Sequence, residues 1–369
     1  MIKKIAIWAF FSIALAFTAC DNFTLIPPNQ VQSNNQQYNH LADSFYYLGR
    51  SFSEDSSNQE MALQLYDSAL EYYQKANHKA RMATIYKRKG FAYEYLEDYA
   101  KVIQLEKKAL KLNLEIDNKR EAAIVLNYLG IAYTIIGDLD SALYYYHQGL
   151  TLSEITFDTI EIIEISQNIG ISYEYRGDFD QSIEAYVESL KYCELINHTA
   201  GVFDLNLCIG KQFLKNEKLE KADFYFHNAE QLIDSVEEYY KQVDFHHTLG
   251  NYHFAQGRKQ KAKRLYEKAL SISAQASFKR GQAAVHKSLA TLYLEEMDYE
   301  NAIQNALLAV DYERLINHSG GLVTSLMVLA QTQYQQALFE KANNSLKEAV
   351  DICLEKGLYE SLDEVYYHL

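Results

Sequence analysis

Side chains able to do chemistry are few and scattered along this chain. Among 11 histidines the densest group is His246, His247 and His253. A metal centre would need them to converge. Neighbours in sequence point to different faces of a helix, and a pair at i, i+7 would need two further ligands nearby. Cys193 and Cys208 fall on consecutive expected helices, where small buried thiols are the commoner arrangement. The many Asp and Glu invite paired acid–base work, yet acidic side chains on helix exteriors are mostly solvated. No GxGxxG, GxxxxGK with Ser or Thr, GxSxG or HExxH pattern occurs, which leaves nucleotide, acyl-transfer and zinc-protease chemistry without a foothold. The reading is a chain that is no enzyme, with no catalytic residue, metal ligand or cofactor assigned.

Cys20 is the exception. Residues 1–19 place Lys3 and Lys4 before an uncharged apolar run, Ile5 to Ala19, of 15 residues. Spanning a bilayer takes about 20 such residues, so the run reads as a signal-peptide core and not a permanent transmembrane helix. It closes on Thr18-Ala19-Cys20, which resembles the bacterial lipobox, with Phe17 where that motif usually has Leu. The resemblance implies a lipoprotein, cleaved before Cys20 and acylated there, palmitate being one expected chain. The alternative is an ordinary secretory signal whose cleavage site lies near a cysteine. Loss of Lys3 and Lys4 takes the net charge from −14 to −16. No polybasic stretch follows, so the membrane would be held through the lipid anchor only. Residues 20–38 contain both prolines and an Asn/Gln/Ser run. They read as the lipidated cysteine and a disordered tether, with a mean span of roughly 25 Å. The expected location is the bacterial cell envelope, facing the periplasm, with inner and outer membrane both open.

The remaining residues must build a body to hold at that surface. Of 369 residues, 48% are hydrophobic, and 31 Tyr and 17 Phe stand against 2 Pro and 15 Gly. So few breakers argue against a loop-rich β-sandwich, and so many aromatics against a solvated acidic tail. The acidic balance disfavours nucleic acid, whose phosphates draw on clustered Lys and Arg. Four cysteines are too few for a disulfide scaffold.

A fixed beat organises this body. Gly49, Gly90, Gly130, Gly170, Gly210 and Gly250 are spaced by 41 and then 40 residues, and Ala290 and Ala330 continue the series. Leu or Ile precedes each beat except at Lys89, and an aromatic follows three residues later in most copies, for example Tyr93, Tyr133 and Tyr173. Small residues recur twelve and nineteen after it, as in Ala142 and Gly149 or Ala262 and Ala269. Each period holds two helix-spaced apolar stretches separated by breaks such as Gly137-Asp138 and Gly177-Asp178, with Asn77, Asp117, Asn197 and Asn317 recurring between periods. Those residues tolerate the left-handed conformation that ends a helix. The small columns let two antiparallel helices approach closely while aromatics fill the space around them.

The columns resemble the tetratricopeptide repeat, most clearly in LGIAYTIIGDLDSALYYYHQGL at 129–150 and IGISYEYRGDFDQSIEAYVESL at 169–190. The resemblance implies an all-α fold, a right-handed α-solenoid of about eight helix pairs over 39–362. Its units run at about 42–82, 83–122, 123–162, 163–202, 203–242, 243–282, 283–322 and 323–362. Residues 363–369 begin a truncated ninth unit or a capping helix, on which Val365, Tyr366 and Leu369 would leave apolar surface uncovered.

It further implies that the first helix of each pair lines a concave groove for a peptide or protein partner. Carried over column by column, the groove residues are Arg50, Lys87, Tyr95, Asn127, Tyr175, Lys211, Lys215, His247, Asn251, Lys287 and Gln331. The family's peptide-gripping Asn is matched by Asn168 alone. Aromatics, amides and lysines suit an extended peptide, whose backbone and acidic groups they can bind; otherwise the face is a merely polar groove. Two other roles share these features: the sensory part of a membrane-linked transcriptional regulator or kinase, cut short at Leu369, and an adaptor in outer-membrane assembly or uptake.

Overall fold

The computed structural model describes residues 28–53 and 58–358, together with Leu362 and Val365. Cys20 and the signal-like run lie outside the described residues. Among those described, regular structure is wholly helical. The helices are α1 (Pro28–Ser53), α2 (Gln59–Lys75), α3 (Lys79–Tyr95), α4 (Tyr99–Glu115), α5 (Lys119–Ile135), α6 (Leu139–Thr156), α7 (Thr159–Arg176) and α8 (Phe179–Leu195). They continue as α9 (Thr199–Lys215), α10 (Leu219–Glu230), α11 (Tyr239–Ala255), α12 (Lys259–Gln275), α13 (Lys279–Glu295), α14 (Tyr299–Leu315), α15 (Ser319–Gln335) and α16 (Phe339–Lys356). Each odd helix packs on the even helix after it. The contacts fall into two compact units, one ending at Thr156 and one beginning at Phe157; each is an α-solenoid of stacked pairs. No helix among the described residues is long and apolar enough to cross a membrane.

The pairs follow from a signal with half the period seen in the columns. A residue with positive φ recurs every 20 positions, from Asn77 (φ 50°), Glu97 (55°) and Asp117 (54°) through Gly137 (84°) to Ala337 (60°) and Gly357 (69°). The turn at Gly137 shows the mechanism. The Gly137 N–H donates to Thr134 O at 3.1 Å and the Asp138 N–H to Tyr133 O at 3.0 Å, a Schellman closure that satisfies the last carbonyls of α5. Asp138 Oδ1 then accepts from Ser141 N–H at 3.1 Å, which opens α6. Asp98, Asn118, Asp158, Asp178 and Asp298 cap their helices the same way. One turn breaks the rhythm. Helix α10 stops after 12 residues, a short 3₁₀ turn (Ile233–Ser235) follows, and Val236 crosses to α11 in extended conformation with its side chain buried.

Most of the left-handed positions carry a side chain. Met297 sits at φ 61° with 75% of its surface exposed, so nothing in its packing offsets the steric cost of that conformation. Placing a Cβ there costs about 1–2 kcal/mol, and glycine loses about 0.5–1 kcal/mol in chain entropy. Met297→Gly is therefore expected to stabilise the protein by up to about 1 kcal/mol, read as a raised thermal midpoint; an unchanged or lowered midpoint would contradict this.

Packing explains the columns. Ala142, Ser182, Ala222, Ala262 and Ala302, together with Ala109, Ser189, Ala229, Ala269 and Ala309, are fully buried. The beat glycines receive a ring from the second helix of their own pair. A Cβ on Gly130 would lie 2.4 Å from Tyr146 Cε1, one on Gly170 2.5 Å from Tyr186, one on Gly210 2.4 Å from Phe226 and one on Gly250 2.5 Å from Tyr266. Where the beat is alanine, the opposing residue shrinks to Ala306 or Leu346. Glycine and ring are one fitted object.

Three expectations change. Helix α1 begins at Pro28, so 28–38 is not a disordered tether. Proline suits a first helical turn, and Tyr38 and Leu41 pack into the first core, Tyr38 with its ring 6.3 Å from that of Tyr72. The helix pairs also start four residues ahead of the column-based units, at Lys79, Lys119, Thr159, Thr199, Tyr239, Lys279 and Ser319. At the C-terminal end Val365 is fully buried and, with Leu362, joins the last core beside α16, so it leaves no apolar surface open; Tyr366 and Leu369 lie outside the described residues.

Candidate functional site: the first-helix faces

In the second unit successive first helices touch one another, α9 with α11, α11 with α13 and α13 with α15. A ladder of polar pairs runs across them. Lys215 on α9 binds Glu174 on α7. Lys211 reaches Asp244 on α11 at 2.6 Å, His247 Nε2 meets Ser288 Oγ on α13 at 2.8 Å, and Lys287 donates to Thr324 Oγ1 on α15 at 3.0 Å. Burial would raise the Glu174 carboxyl, but hydrogen bonds from Lys215 and Gln212 outweigh it and hold the pKa below its usual value. His247 is pushed down to about 4 by burial, so it stands neutral in the ladder at physiological pH. Burial also lowers the pKa of the Lys287 ammonium.

Lys211, Lys215, His247 and Lys287, all expected on the groove, thus first tie neighbouring helices together. Asn251 belongs to the same network, accepting from Tyr266 Oη at 2.7 Å and Ser288 Oγ at 3.3 Å. Asn168 is half-buried. Tyr175, 71% exposed, and Gln331 stand out into solvent.

The first unit behaves differently. Lys87 pairs with Glu121 on α5 at 2.8 Å, while Arg50 and Tyr95 line one cavity. Asn127 is 5% exposed and packed inside α5's buried side. The carried-over column misplaces it as a ligand contact, because its neighbours Val125, Leu126 and Leu129 turn that stretch into the core.

The histidines do not converge. His247 meets Ser288, His253 Nδ1 lies 3.2 Å from Gln256, and His246 sits edge-on to Phe245 with ring centres 5.2 Å apart. No group of three or more potential metal ligands occurs among the described residues. Cys193 and Cys208 are free, and burial pushes both thiols up to about 11, which leaves little nucleophilic thiolate.

A family profile for the tetratricopeptide repeat matches residues 243–276, the stretch from α11 into α12. The whole array is similar to a tetratricopeptide repeat protein from Parabacteroides merdae, with 15% identity, a TM-score of 0.56, and coverage of 77% of this chain and 98% of that one. Residues 243–276 are a tetratricopeptide repeat, and the array shares that fold. The profile begins at Val243, four residues inside α11, which is why the column-based repeats start late in each first helix. Two further solved structures share the fold. One is the apo quorum sensor NprR from B. thuringiensis (14% identity, TM-score 0.61, 88% of this chain and 99% of that one). The other is a Rap protein complexed with competence and sporulation factor (15%, 0.53, 93% and 97%). No curated protein matches the sequence.

The column overlooked by sequence reading lies sixteen residues after the beat, and seventeen after it in the first copy. Its rings pass over the glycine and deliver hydroxyls to the first-helix face. Tyr66 Oη donates to Ser53 Oγ at 3.2 Å, Tyr146 Oη lies 3.3 Å from Thr134 Oγ1, and Tyr186 Oη donates to Glu174 at 3.4 Å. The signal was present: Tyr146, Tyr186, Phe226 and Tyr266 keep phase with the glycines.

Proposed function

We propose that this chain is a non-catalytic scaffold that binds a peptide or protein partner along its first-helix faces, held in the bacterial envelope by a lipid on Cys20. The supporting observation is the polar ladder of the second unit, which fixes a row of first helices while Tyr175 and Gln331 remain free at its surface. Amides, aromatic edges and bound lysines suit the backbone of an extended chain. The fold shared with a Rap protein complexed with a named factor, and with a quorum sensor, supports the same reading. The NprR likeness also favours a second one, in which these repeats are the sensory part of a membrane-linked regulator.

Affinity recovery from detergent-solubilised cells tests the scaffold. Lys211→Glu with Tyr175→Ala is expected to lose most of the partner recovered by the wild-type chain while keeping its helical content. Undiminished recovery would remove the second unit's face from the account. Cys20→Ser is expected to move the protein from the membrane to the soluble fraction, and persistent membrane association would dismiss the lipid anchor.

A further inference from the structure

The first unit contains a cavity of about 740 Å³ whose walls carry charges of both signs. Arg50 and Arg88 line it together with Glu94 and Glu97, and Phe91, Tyr95 and Tyr99 supply aromatic surface. Charges this close normally find each other. Elsewhere in the unit they do: Lys87 pairs with Glu121, Lys89 with Asp67, Lys79 with Glu115 and Arg81 with Asp43. Among the described residues no carboxylate lies within 4.0 Å of Arg50 or Arg88, and no cation within that distance of Glu94 or Glu97.

Arg88 is the telling group. Its Nε is buried with no hydrogen-bond partner among the described residues, an unfavourable state unless something supplies an acceptor. The guanidinium is held in place over the Phe91 ring, 5.8 Å from its centre, and that ring in turn packs edge-on to Tyr128 at 5.0 Å. Opposite, Ser53 Oγ is pinned by donating to Arg50 O at 2.8 Å and accepting from Tyr66. The cavity also borders the repeat that departs furthest from the shared pattern: Lys89 replaces the Leu or Ile before the beat, and Glu106 replaces the aromatic that opposes it. In that repeat two shared packing residues are exchanged for charge.

We infer that this cavity binds a small zwitterion with an apolar side chain, its carboxylate on Arg50 and Arg88 and its ammonium on Glu94 and Glu97. A free amino acid and the two ends of a di- or tripeptide share that chemistry, and a volume of this size takes either. Paired arginines are suited to a carboxylate, the aromatic wall to the side chain. The inference rests on the reading of the first-helix faces as binding surfaces and names the ligand chemistry at one end of them.

Calorimetric titration of the full chain in mild detergent tests it, with phenylalanine and alanylphenylalanine as probes and N-acetylphenylalanine and phenylalanine amide as blocked controls. Each blocked form is expected to bind at least about tenfold more weakly than phenylalanine, since each loses a charge-assisted contact. Arg88→Gln should shrink the gap between phenylalanine and its amide, and Glu94→Gln the gap between phenylalanine and its acetyl derivative. Whichever of the amino acid and the dipeptide binds tighter identifies the source. Because the blocked controls are read on the unaltered chain, no variant need fold for the result to count. Absence of binding by both unblocked probes, or equal binding of blocked and unblocked forms, would overturn the inference. If partner recovery through Lys211 and Tyr175 persists in that case, the scaffold reading survives and only the ligand chemistry falls.

Discussion

Gly130→Ala lowers the stability of the protein by about 1–3 kcal/mol, the range for forcing an extra carbon into a packed core, when followed by urea denaturation. A Cβ at this position would lie 2.4–2.7 Å from three carbons of the Tyr146 ring. The ring itself has nowhere to go, since Tyr146 is 1% exposed and its hydroxyl is placed beside Thr134. Two copies of the repeat supply the compensation. Opposite Ala330 stands Leu346, and opposite Ala290 stands Ala306. Combining Gly130→Ala with Tyr146→Leu should therefore recover part of the loss caused by Gly130→Ala alone, although Tyr146→Leu by itself is destabilising through lost ring contacts. Strictly additive losses would show that glycine and ring are not coupled. No loss from Gly130→Ala would show that the beat does not lie at a packed helix crossing.

Glu106 carries the second large effect. It fills the place that a ring occupies in most other pairs, with Oε1 2.5 Å from where a Cβ on Gly90 would stand. The side chain is 1% exposed and Oε2 has no hydrogen-bond partner. Burial pushes its pKa up to about 8, with Lys87 pulling down and Glu94 adding to the rise. In the unfolded chain a glutamic acid titrates near 4.3. The folded protein therefore holds the proton more tightly, and stability is fully present below about pH 4.3 and lost progressively as pH rises toward 8. Glu106→Gln removes this dependence. Relative to wild type it should gain on the order of 3–5 kcal/mol at pH 9 and close to nothing at pH 4. A difference between the two proteins that does not change with pH would mean that the carboxyl is not held neutral. Glu106→Tyr, which restores the pairing seen at Gly130 and Gly170, should also stabilise at high pH.

The repeat was legible in the sequence because close helix packing leaves few options. A glycine that receives a ring and a small residue that meets a backbone recur wherever the geometry recurs, so five columns stay in phase. The turns were only partly legible. Asn77, Asp117 and Gly137 announce a left-handed residue, but Phe157, Met297 and Ala337 adopt the same conformation with side chains that do not. There the closure bonds of the neighbouring helices impose it, as Ala337 N–H to Tyr334 O at 2.9 Å and Leu338 N–H to Gln333 O at 2.9 Å show. The irregular end of α10 had no sequence warning, since Glu237 stands where Glu97 and Glu217 form ordinary turns.

The candidate face was harder to read. Column rules place a residue on a helix face but say nothing about what the adjoining helix brings to it. Lys211 and Lys215 read as free cations because Asp244 and Glu174, their partners, lie 33 and 41 residues away. The column rule puts Asn127 on the groove, whereas its helix turns that stretch into the core. Arg88 went unremarked, since its significance comes from a missing partner, which only three dimensions disclose.

A partner extended across the first helices is within reach of light-activated crosslinking in cells. A photoreactive residue is placed singly at Tyr175, at Gln331, or at Lys268, an exposed position on the second helix α12. One and the same partner is expected to be captured from Tyr175 and Gln331 and not from Lys268. Capture of that partner from Lys268 alone, or from all three positions equally, would contradict it.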